Sequence, residues 1–91
     1  MKLIKMDGTE IDLDPEKESF ESCQKHVDGY IETLSIPGKF VFLLDEDAGL
    51  KQVGPNFVAT SLLQAFSDRS DTLLGPVVVL ESQEEVDAII L

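Results

Sequence analysis

The chain has 91 residues, 43% of them hydrophobic, and a formal net charge of −11 from eighteen Asp and Glu against seven Lys and Arg. A chain of this length holds one core, since domains below roughly 100 residues bury only about 60–65% of their unfolded surface. The apolar fraction excludes disorder, the acid excess disfavours nucleic-acid backbones and anionic membranes, and Cys23, as the only cysteine, excludes an intrachain disulfide and a cysteine-based zinc site.

Residues 2–13 predict a β-hairpin. Leu3 and Ile4 lie among lysines, Asp7-Gly8 is a hairpin turn pair, and Ile11 and Leu13 alternate with Glu10 and Asp12. A helix follows, and two starts are compatible with the residues: Asp14 as cap with Pro15 in the first position, or Ser19 as cap with 14–18 as a loop. Phe20, Cys23 and Val27 form its apolar stripe, and Gly29 is expected to end it in a left-handed conformation. Residues 30–36 and 40–44 predict a second hairpin around Pro37-Gly38, its second strand a continuous apolar run covered at least partly on both faces. Residues 45–55 read as a polar loop with a short strand pair near Leu50 and Val53. Asn56 caps a second helix with Val58, Leu62, Ala65 and Phe66 as its expected buried stripe, and 67–72 form a polar loop. Gly75-Pro76 introduces a Val-rich strand at 77–80, and Ser82 with Glu85 has capping-box spacing for a terminal helix that carries Val86, Ile89 and Ile90. The expected fold is one α+β domain over residues 1–91, ordered β-β-α-β-β-α-β-α, a mostly antiparallel sheet with helices packed on one face.

Chemistry-bearing motifs are sparse. His26 is the only histidine, which excludes a multi-histidine metal site, and Cys23 lies on the apolar stripe, where a buried inert thiol is the expected state. Residues 45–49, Asp-Glu-Asp-Ala-Gly, begin like a calcium loop. With Asp45 at position one, however, Leu50 stands where glycine is required and Asn56 where glutamate is required. Gly54-Pro55-Asn56 precedes a helix N-terminus and is explained by a capped turn without an anion. Glu32 alternates onto the same strand face as Tyr30 and Leu34. That face is either solvent-exposed, the preferred reading, or a shallow pocket lined by Tyr30 and Glu32. No catalytic group, metal or cofactor is expected. No apolar run of 18 residues is present and the start Met1-Lys2-Leu3-Ile4-Lys5 is too soon polar for a signal peptide, so a cytoplasmic protein is expected.

The segment Val27-Asp28-Gly29-Tyr30-Ile31-Glu32 resembles the Val-Gly-Gly-Tyr-Ile-Glu core of the family designated domain of unknown function three-eight-four-six, with Asp28 in place of the first glycine. The resemblance extends over nearly the whole chain. Met1 to Lys5 with Asp7 to Glu10 is similar to that family's opening hairpin, and Asp45 to Lys51 to its acidic turn with Ala48 as an extra residue. Asn56 with Ala59 is similar to its Asn-x-x-Ala helix start, and Gly75 to Val79 to its final strand. The resemblance implies a small accessory protein of a phage, plasmid or mobile element, with no settled activity. The matched positions that it marks as a binding site are Gly29, Tyr30, Glu32, Asp45 and Asn56; turn and cap roles explain the glycine, the acidic turn and the asparagine equally well.

Two functions are expected from these readings. The first is a non-enzymatic module that binds a basic host protein through its acidic surface. The second is a protein that sequesters a small ligand, a nucleotide or signalling metabolite, in a pocket near Tyr30, Glu32 and Asn56. A homodimer through an edge strand of either hairpin is compatible with both, although lysines and acids on the hairpins discourage it.

Overall fold

The structure is a computed structural model that describes residues 1–91. In chain order the elements are β1 (Lys2–Ile4), β2 (Glu10–Asp12), α1 (Phe20–Val27), β3 (Ile31–Ile36), β4 (Phe40–Asp45), α2 (Phe57–Ala65), β5 (Val77–Leu80) and α3 (Gln83–Ile89). The strands form one sheet in the order β2-β1-β5-β4-β3, and every neighbouring pair is antiparallel. The α+β class, the element order and the antiparallel sheet are as expected.

The central strand β5 comes late in the chain and joins two hairpins that do not pair with each other. Ile4 lies opposite Val77 on one side, and Phe42 lies opposite Val79 on the other. All four residues of β5 are buried, because both faces of this strand are covered. Its side chains alternate between two cores. Val78 and Leu80 join Met1, Leu3, Cys23, Val27, Leu43 and Ile89, whereas Val77 and Val79 join Ile4, Ile36, Phe42, Ala59, Leu63 and Leu73.

This alternation decides the layering. The helices, expected on one face, are divided between two: α1 and α3 supply Cys23, Val27 and Ile89 to the first core, and α2 supplies Ala59 and Leu63 to the second. Apolar side chains on both faces of β4 and β5 require cover on both sides.

Local chemistry sets each helix end. Ser19 and Ser22 cap α1 reciprocally, with Ser22 N–H donating to Ser19 Oγ at 3.0 Å and Ser19 N–H to Ser22 Oγ at 2.8 Å. Asp14 instead closes the turn before the helix, where its carboxylate accepts from Glu16 N–H at 3.0 Å. At the other end the left-handed residue is Asp28, with φ 62°, and not Gly29 as expected. Gly29 N–H then donates to Gln24 O at 3.1 Å, which closes the helix one residue later.

In α2 the expected stripe is also corrected. Ala59, Thr60 and Leu63 are buried and Leu62 is half-buried, while Val58, Ala65 and Phe66 are exposed. The cause lies in the cap. Asn56 is wholly buried and its Nδ2 donates to Ile4 O and Gly75 O, both at 2.9 Å, so the helix rotates to keep residues three, four and seven after Asn56 against the sheet. The strand pair expected near Leu50 and Val53 does not form. That segment winds through consecutive turns, with Lys51 N–H donating to Asp47 O at 2.9 Å and Val53 N–H to Ala48 O at 3.0 Å.

Candidate functional site

Four of the five marked positions meet at the open corner of the sheet, where α1 hands over to β3. Across the β3–β4 ladder Ile31 faces Asp45 and Glu32 faces Leu44, and Glu46 N–H donates to Tyr30 O at 2.9 Å. The Asp45 side chain is only 3% exposed. Its Oδ1 accepts from Asp47 N–H at 2.9 Å and its Oδ2 from Lys51 Nζ at 2.8 Å. Lys51 Nζ also donates to Asp28 O at 2.9 Å, which ties the acidic turn to the end of α1.

Gly29 owes its identity to this contact. A Cβ at this position would lie 2.5 Å from Asp45 Cγ, far inside van der Waals contact, so only glycine lets the backbone pass over the buried carboxylate. Burial alone pushes the Asp45 carboxyl up; the Lys51 ammonium and the Asp47 amide outweigh it and hold the group below the ordinary aspartate range. The hydrogen bond to Asp45 is the main reason that the Lys51 ammonium is held above its ordinary value. Lys51, the last residue of the turn that resembles the family's acidic turn, is the member of this corner that the sequence did not mark as a site residue.

Tyr30 and Glu32 are the accessible members. The Tyr30 ring is 70% exposed and Glu32 is exposed, whereas Leu34 and Ile36 on the same face pack into the second core, so the face expected to be wet is wet only at the start of the strand. A surface depression of about 390 Å³ runs between Glu21, Gln24, Lys25, Asp28, Gly29 and Tyr30. A second, of about 430 Å³, lies between the β3–β4 turn and the start of α3. Neither includes Glu32 or Asn56, and Asn56, wholly buried, is not exposed beside Tyr30 and Glu32.

Asn56 stands apart from the corner. Besides its two donor bonds, its Oδ1 accepts from Ala59 N–H at 3.1 Å, so both polar ends of its amide are engaged within the protein. Its place is in the core between β1, α2 and the turn before β5.

The other titratable candidates are similarly committed. Cys23 is fully buried, and burial followed by the nearby Glu18 carboxylate pushes its thiol up to about 11. His26 Nε2 lies 2.8 Å from Glu18 Oε1, which also accepts from Ser22 Oγ at 2.8 Å. No group of three or more His, Cys, Asp or Glu is placed to hold a metal ion, and no helix is long and apolar enough to cross a membrane.

Acidic residues are unevenly shared between the two layers. Asp14, Glu16, Glu18, Glu21 and Asp28 surround α1 beside Lys17, Lys25 and His26, and Glu81, Glu84, Glu85 and Asp87 surround α3 without a Lys or Arg in residues 81–91. Residues 53–67, which include all of α2, carry no charged side chain. No family model, curated protein or solved structure matches this chain.

Proposed function

We propose that the chain is a non-enzymatic binding module whose α1–α3 layer engages a basic segment of a host protein, in the phage or mobile-element setting that the motif resemblance implies. The observation that carries this reading is the segregation of charge. Glu16, Glu21, Glu84 and Asp87 are exposed and have no cationic partner within the protein, while α2 on the opposite layer is uncharged. A layer with an excess of one sign of charge steers and orients an oppositely charged partner, and its attraction falls with ionic strength.

The test is retention of host protein by the immobilised chain at low and moderate salt. The pair Glu84→Lys and Asp87→Lys is compared with Ser61→Lys and Gln64→Lys on α2. The proposal expects a partner lost only with the first pair and released by salt. Nothing retained at either salt, or equal loss with both pairs, would sink it.

The depression beside Tyr30 supports a second reading, in which a nucleotide or signalling metabolite is sequestered there. A ligand that binds only the native state raises the melting temperature, so a thermal-shift screen against metabolite pools decides it, and no shift with any pool refutes it.

A further inference from the structure

We infer that the depression between the β3–β4 turn and the start of α3 is the anchor point for the basic segment: one large apolar side chain of the partner seats against Val41 and Val86, and a neighbouring lysine or arginine of the same segment lies against Glu81 and Asp87. This rests on the function proposed above and adds the residue pattern that the partner must carry. The depression measures about 430 Å³, inside the range of roughly 300–1,000 Å³ found for ligand pockets.

The strand register creates this opening. β4 and β5 pair as far as Val41 opposite Leu80, and beyond that pair the chain turns off at Glu81 into α3 while β4 stays paired with β3 to Phe40. Val41 and Val86 pack against the first core, so the depression opens on the α1–α3 layer. Both valines are only half-buried, and each leaves apolar surface to water inside the depression. Ser35, opposite Val41 in the ladder, is exposed and forms the β3 side.

Charge complementarity selects the occupant. Glu81 lines the depression, and Gln83, which lines it too, donates from Nε2 to Asp87 Oδ1 at 2.9 Å and so keeps a second carboxylate beside the wall. Both acids are exposed. Glu81 and Glu85 share the Met1 ammonium at 3.4 and 2.7 Å, so these three groups together remain negative, and Asp87 has no cationic partner. Lys39 is the one cation of the lining, and its ammonium lies 5.6 Å from the centroid of the Phe66 ring, at the end of α2 on the other layer. An apolar hollow with carboxylates at its rim favours an apolar residue next to Lys or Arg over a neutral or acidic segment. The apolar residue supplies most of the affinity, because charge pairs at an exposed rim are weakened by water and salt.

Two fluorescently labelled peptides of equal charge, read by anisotropy against the whole chain, test the anchor: Gly-Lys-Arg-Phe-Lys-Gly, and the same peptide with serine in place of phenylalanine. The phenylalanine peptide is expected to bind about tenfold more tightly. Ser35→Trp fills the depression from an exposed position on β3; it is expected to keep the native circular dichroism, to remove that advantage and to leave the affinity for the serine peptide unchanged. On the unsubstituted chain, the methyl resonances of Val41 and Val86 are expected to shift with the phenylalanine peptide and not with the serine peptide. Equal binding of the two peptides, an advantage that survives Ser35→Trp, or unmoved valine methyls overturns the anchor and leaves the basic-segment reading standing. Binding of neither peptide at low salt overturns both.

Discussion

Asn56→Ala tests whether this side chain holds three segments together or stands ready for a ligand. In the structure Asn56 Oδ1 caps α2 through Ala59 N–H, and its Nδ2 ties the end of β1 at Ile4 O to the turn before β5 at Gly75 O. Losing a cap of this type costs about 0.5–2 kcal/mol. Each of the two buried donor bonds contributes ~0.5–1.5 kcal/mol net. Together the substitution is expected to lower stability by about 3 kcal/mol, which for a domain of this size is a fall of roughly 12–24 °C in Tm. Asn56→Ser keeps a cap oxygen but not the two donors, so it should recover about 1 kcal/mol of that loss. Urea unfolding followed by far-ultraviolet circular dichroism measures both, with an unchanged denaturant slope as the control that the unfolded state is the same. If Asn56→Ala stays within about 0.5 kcal/mol of the parent, as substitutions at indifferent surface sites do, the reasoning is wrong and the amide is free for other work.

Other perturbations probe the corner of the sheet. Gly29→Ala drives a methyl group into the Asp45 carboxylate and should cost about 1–3 kcal/mol by chemical denaturation; most of that loss should vanish in the Asp45→Ala background, where the obstructing atoms are gone. Asp28→Gly relieves a left-handed residue while keeping the carbonyl that Lys51 binds, and should raise stability by up to about 1 kcal/mol. Asp45 has a depressed carboxyl, so its stabilising contribution is present above the ordinary aspartate pKa and is lost as pH falls through its lower folded value. Asp45→Asn should therefore flatten the acid limb of the stability–pH curve, as read by urea midpoints taken from neutral pH downward. Lys51 has a raised ammonium, so its contribution is full below the ordinary lysine pKa and is lost as pH rises from there through the higher folded value.

Local features of the fold were legible because a few neighbouring residues determine them. Asp7-Gly8 makes its turn with Gly8 at φ 90° and Asp7 accepting from Thr9 N–H at 2.9 Å, and Ser82 and Asn56 cap the helices they precede. Features that depend on distant partners were not legible. The rotation of α2 follows from Asn56 reaching Ile4, 52 residues away, and periodicity within residues 56–66 contains nothing of that tether. Gly29 suggested a left-handed cap because glycine usually supplies one, yet its purpose is the passage of Asp45, sixteen positions further along the chain. The continuous apolar runs of β4 and β5 do announce two covered faces, and that signal, weighed against the helices, points to the divided layering.

The strand order explains why the candidate site is a corner and an edge, with no enclosed cavity. β5 enters between β1 and β4, so it takes the most apolar strand to the centre and pushes the mixed strands β2 and β3 to the rims. Helices cover both faces, and the side chains that fill those two cores leave the rims and the outer helix surfaces as the places where a partner can be met. Both rims carry free backbone groups, those of Glu10 and Asp12 on β2 and those of Ile31, Thr33 and Ser35 on β3, and both carry exposed acids, Glu10 and Asp12 on one and Glu32 on the other.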